Sequence, residues 1–86
     1  MFASNIFQVE VLGISKHGFW LLLDGETELF VSFLNFPWFH KASVEQLFYV
    51  ERSLPHHLYW PELDVDLHID SIQHPEKYPL VSNVGL

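Results

Sequence analysis

The stretch HGFWLLLDGETELFVSF, residues 17–33, limits the fold more than any other part of this chain. Two apolar runs flank Asp24-Gly25, and both of those residues tolerate the positive φ that a tight hairpin turn requires. HGFWLLL and ELFVSF are therefore expected as paired strands. HGFWLLL is apolar on both faces, the pattern of a strand covered on both sides. Upstream, IFQVEVLGI alternates, with Phe7, Val9 and Val11 on one face and Gln8 and Glu10 on the other, as a half-buried strand does. Residues 6–33 thus read as a three-stranded antiparallel meander.

The period then changes. Ser43 followed by Gln46 makes a capping-box pattern, whose loss would cost about 1 kcal/mol. Apolar residues recur at Val44, Leu47, Phe48 and Leu54, which predicts a helix over 44–52 that stops before Pro55. Such a helix can cover the apolar face of an open sheet. HLYW reads as a fourth strand, interrupted by Pro61. LDVDLHI reads as a fifth, with Leu63, Val65, Leu67 and Ile69 alternating against Asp64, Asp66, His68 and Asp70. A helical turn beginning near His68 is the alternative, because Leu67, Ser71 and Ile72 could also lie on helical rows. The expected class is α+β: a three-stranded antiparallel meander, one short helix, then two short strands. One domain over 1–86 is expected, its core at about 6–72 and a tail over 73–86 packing through Tyr78 and Leu80.

A chain of 86 residues buries only roughly 60–65% of its unfolded surface, and rings of ~150–250 Å² each make the most of that. With 16% aromatic residues this chain has them in number. The absence of cysteine excludes disulfides and thiolate chemistry and fits a reducing compartment. MFASNIFQVEV has no leader pattern, and no apolar run reaches the ~20 residues that span a bilayer, so a cytoplasmic location is expected. The net charge is −7, and Lys16, Lys41, Arg52 and Lys77 are scattered. That balance argues against direct contact with nucleic-acid phosphates or anionic membranes and favours basic partners.

Three constellations could carry function. SLPHHLYWPELDVDLHID holds three histidines and four acids. A metal or hydrolytic site built there would use His57, Asp64, Asp66 and His68. Adjacent His56 and His57 would point to opposite faces of a strand, however, and residues two apart form a row about 7 Å in spacing rather than a convergent ligand set. The row therefore reads as a solvated face, with Asp64, Asp66 and Asp70 as a surface that blunts a strand edge or steers a basic partner. Trp60-Pro61 reads as a core anchor at a bend, with a ligand platform as its alternative. FLNFPWF, residues 33–39, is the best interaction candidate, with Phe36, Trp38 and Phe39 as its residues. If this loop folds back beneath the helix, Phe36 and Phe39 go inside and Trp38 stays at the surface. No serine has nucleophile-elbow context and no glycine group cradles phosphate, so neither enzymatic activity nor a cofactor is expected. The reading is an interaction module for a protein partner or a homodimer.

Four segments in this order, VEVLGI, LLLDGE, FPWFHKAS and Trp60-Pro61-Glu62-Leu63-Asp64 followed by Asp66-Leu67, resemble the short, mostly bacterial proteins catalogued as domain of unknown function 2442. The likeness runs from about residue 8 to 72. It implies a small α+β fold and no established enzyme activity. It also implies a partner-binding or antitoxin-like role, since members often lie beside another short gene and some carry an appended helix-turn-helix. Members often place an arginine after the proline of the Phe-Pro element, where this chain has Trp38, and no helix-turn-helix pattern follows here.

Overall fold

The computed structural model describes residues 7–78. Strands β1 (Val9–Ser15), β2 (Gly18–Leu23) and β3 (Thr27–Ser32) form the expected antiparallel meander, in that order across the sheet. Asp24 and Gly25 both take positive φ, 56° and 75°, and the Glu26 N–H donates to the Leu23 carbonyl at 3.1 Å. This is the primed turn whose twist suits a hairpin. The register shifts between Val11 and Gly13, leaving Leu12 as the extra residue of a bulge beside Trp20.

After a single 3-10 turn at Pro37–Phe39, helix α1 spans Val44–Phe48. Its capping box is complete: the Gln46 N–H donates to Ser43 Oγ at 3.1 Å, and the Ser43 N–H to Gln46 Oε1 at 2.9 Å. The helix is shorter than the 44–52 predicted. Tyr49, at φ −88° and ψ 82°, lets the Val50 N–H reach the Phe48 carbonyl, an inverse γ-turn that ends it. Only Leu47 of the proposed helical row is buried; Val44 and Phe48 face outward, and Leu54 lies on a strand.

Glu51 and Arg52, the last two residues of the predicted helix, instead open β4 (Glu51–Leu54), which pairs with β5 (His57–Trp60), and β5 pairs with β6 (Val65–His68). The second sheet therefore has three antiparallel strands where two were expected. Pairing with β5 outweighs the helical preference of Glu, Arg and Leu, and Pro55-His56 closes the hairpin. The helical alternative after β6 is the one realised, as α2 (Ile69–Gln73), followed by a 3-10 turn at Pro75–Lys77. Tyr78 docks through its hydroxyl, which donates to Asp70 Oδ2 at 2.8 Å, while Leu80 lies outside the described residues.

The inner face of the first sheet (Val11, Phe19, Leu21, Leu23, Leu29, Val31) and Leu58, Trp60 and Leu67 of the second share one core with Leu47, Ile69 and Ile72 from the helices. At its centre the rings of Phe19, Phe39 and Trp60 meet edge to face, with centroids 4.8–6.0 Å apart. Trp60 is the anchor expected, fully buried, its Nε1–H donating to the Leu47 carbonyl at 3.0 Å. That bond ties β5 to α1.

Candidate interaction site

The aromatic loop divides as its sequence allowed. Ser32 Oγ accepts the Leu34 N–H at 3.0 Å, and the Ser32 carbonyl accepts the Phe36 N–H at 2.9 Å, so the chain reverses tightly after β3. Pro37, already fixed near helical φ, then starts the 3-10 turn. This geometry drives Phe39 into the core, where it has no exposed surface and cannot itself touch a partner. Phe36 is buried as well, with its ring edge-on to Trp38 at 5.9 Å. Trp38 remains 37% exposed.

Trp38 and Phe36 form one wall of a cleft of about 220 Å³, with Asn35 beside them. The other wall comes from the far end of the sequence: Asp66 and Leu67 of β6, Ser71 of α2, then Pro75 and Tyr78. Cofactor pockets usually measure ~300–1,000 Å³, so this cleft suits one inserted side chain better. Among the described residues, no lysine or arginine lines it. The Tyr78 hydroxyl bond holds the Asp70 carboxyl below its usual value near 3.8, a lowering that Lys77, His74 and His68 assist. The same bond pushes the Tyr78 hydroxyl up. Asp70 therefore stays an anion behind the rim of the cleft.

The acidic row is not continuous. Asp66 alone stands on the wet face of a strand. Asp64 sits in the turn before it with φ 52°, a left-handed conformation that aspartate tolerates. Its Oδ1 accepts the Tyr59 hydroxyl at 3.3 Å, and partial desolvation together with that carboxylate pushes the Tyr59 hydroxyl above its ordinary value. Asp70 belongs to α2. The three acids thus occupy a turn, a strand and a helix.

The histidines also differ from expectation. His56 lies in the β4–β5 turn, so it does not alternate with His57, and both rings lean on His68: His56 stacked at 6.1 Å, His57 edge-on at 5.1 Å. His57 Nδ1 lies 3.1 Å from Asp66 Oδ1, and His68 Nδ1 accepts the Asp70 N–H at 3.2 Å as the cap of α2. Of the residues considered for a metal, His57, Asp66 and His68 are neighbours and Asp64 bonds elsewhere. Among the described residues no three His, Cys, Asp or Glu side chains converge so as to hold a metal ion.

Arg52 carries a structural role that charge counting misses. The register of β4 on β5 shifts between Glu51 and Leu54, and at that bulge the Arg52 side chain turns inward to near-complete burial. Nη1 donates to the Gln8 carbonyl at 2.6 Å and to Asp24 Oδ1 at 2.9 Å, while Nη2 and Nε donate to the Pro55 carbonyl at 2.9 and 3.2 Å. One guanidinium so joins both sheets.

Among the described residues no helix is long and apolar enough to cross a membrane. No curated protein and no solved structure matches the chain. The family model described as a protein of unknown function (DUF2442) matches residues 8–78, from the start of β1 through Tyr78, and the chain belongs to that family.

Proposed function

We propose that the chain is a non-enzymatic interaction module that receives a basic side chain of a protein partner in the cleft between Trp38 and Tyr78. The observation that carries this reading is the shared cleft: the aromatic turn after β3 and Asp66 of β6, far apart in sequence, meet there without an intervening cation among the described residues. A cation over an aromatic face gains ~0.5–2 kcal/mol, and a nearby carboxylate adds direction. Arginine suits the cleft better than lysine because its planar guanidinium stacks while it bonds. The net charge of −7 would draw such a partner in. A partner encoded beside this chain, in a regulatory or antitoxin-like pairing, is in keeping with the family resemblance.

Amide and indole NMR spectra of the full chain, titrated with short neutral peptides bearing one Arg, Lys or Glu, test this. The expected shifts centre on the Trp38 indole, Asp66, Ser71 and Tyr78, largest for Arg and least for Glu. Trp38→Ala should weaken the Arg peptide about tenfold and Asp66→Asn by a few fold. Equal response to Glu, or shifts confined elsewhere, would sink the reading.

A further inference from the structure

The doubly apolar pattern of β2 calls for cover on both faces, and among the described residues only its inner face is covered. Phe19, Leu21 and Leu23 are buried inward, whereas Trp20 on the outer face is 44% exposed beside partly buried Leu22. Leu12 from the β1 bulge, also exposed, and Phe30 from β3 extend this patch, and the Trp20 and Phe30 rings lie 4.9 Å apart. Phe30 crosses Gly18, where a Cβ would come within 2.7 Å of its Cζ, so the glycine lets the ring lie flat on the sheet.

The two ends of this face carry opposite charge. Glu10 and Glu28 flank Leu22 in register at one end. At the other, Lys16 and His17 line a shallow hollow with Phe30, Ser32 and His40. Trp20 sits midway between Leu22 and Gly18, each two residues or ~7 Å away along the strand.

We propose that the outer face of the first sheet is the interface of a homodimer. The two copies pack face to face about a two-fold axis through Trp20, with their β2 strands antiparallel. That axis lays Leu22 of each copy over the Gly18–Phe30 level of the other and sets Glu10 and Glu28 against Lys16 and His17. The alternative two-fold, with strands parallel, stacks like charge on like charge. A three-stranded face with strands ~4.8 Å apart and six residues long covers roughly 300 Å², small for a permanent dimer. The expected dissociation constant is therefore on the order of tens of micromolar. This interface is separate from the Trp38 cleft and leaves it open in both copies.

Sedimentation of the full chain from about 1 µM to 1 mM reads the result, with circular dichroism confirming that each variant is folded. The expected mass rises from 10.1 kDa to twice that value. Because each residue counts twice at a two-fold interface, Trp20→Ser should raise the dissociation constant at least ~100-fold. Lys16→Glu should raise it ~3–10-fold at low salt, and the double variant Lys16→Glu with Glu10→Lys should restore it. Monomer at every concentration overturns the proposal, as does a dimer that survives Trp20→Ser or one that Trp38→Ala abolishes instead.

Discussion

The two sheets reach a shared core by different means. The first has strands of six or seven residues, a primed turn, and an inner face of large aliphatic and aromatic side chains. Ladder and burial specify its register together, since a slip by one residue would turn Phe19, Leu21 and Leu23 outward. The second has strands of four residues each. It is held by point attachments: Trp60 to the Leu47 carbonyl, Arg52 to three separate segments, and the Ile69 N–H to the His56 carbonyl at 2.8 Å. A distributed face tolerates single losses, whereas a sheet hung on a few polar anchors concentrates its dependence on them.

Removing the shared anchor should break the comparison altogether. Trp60→Ala takes away a fully buried ring and leaves the Leu47 carbonyl without its donor, at about 3–5 kcal/mol. In a domain this small the expected result is loss of a cooperative thermal transition, measured by calorimetry. Arg52→Met should sharpen the contrast, with a destabilisation of about 3 kcal/mol because the bonds of a charged, inward-turned guanidinium to the Gln8 and Pro55 carbonyls and to Asp24 are lost together. Arg52→Lys should recover little, since a single ammonium cannot reproduce the fork. Hydrogen exchange should quicken in β4 before β2; equal quickening in both sheets would refute the point-attachment view. In the first sheet Gly18→Ala should cost about 1–3 kcal/mol in urea unfolding, as its Cβ would meet the Val31 carbonyl oxygen at 2.2 Å.

The smallest effect concerns the Tyr78–Asp70 bond. Because the folded state holds the Asp70 carboxyl below its ordinary value, the bond stabilises above that value and is lost as pH falls through the lower folded one. Melting temperatures of wild type and Tyr78→Phe should therefore differ slightly at pH 6 and converge once pH has fallen well below the ordinary aspartate value. A gap that persists at the lowest pH would assign the contribution of Tyr78 to its ring instead.

What the sequence disclosed follows the same divide. Period-2 alternation, Asp24-Gly25 and the Ser43–Gln46 box are local signals, and each is legible because its cause lies within a few residues. Strand β4 is not, because Glu51 to Leu54 have no alternation and owe their extension to β5. Arg52 counts as a surface charge until the bulge that turns it inward is known. The acidic row failed as a unit because Asp64 takes a left-handed turn, although it follows Pro61 by three residues and shares the tolerance that marks Asp24. Trp38 and Asp66 were each legible as interaction candidates. Their meeting in one cleft was not, since it depends on how α2 returns the chain toward β3.

The Arg52 fork also bears on how long the folded state lasts. Its bonds close loops of 44 residues to Gln8 and 28 residues to Asp24, so they can form only once both sheets stand close together. Contacts made after the rate-limiting step leave the folding rate alone and slow the reverse reaction. Arg52→Met should therefore steepen escape from the native state, with nearly all of its ~3 kcal/mol, or roughly a hundredfold, entering the unfolding limb of a denaturant-jump plot. The guanidinium acts as the latch that sets the lifetime of the assembled sheets.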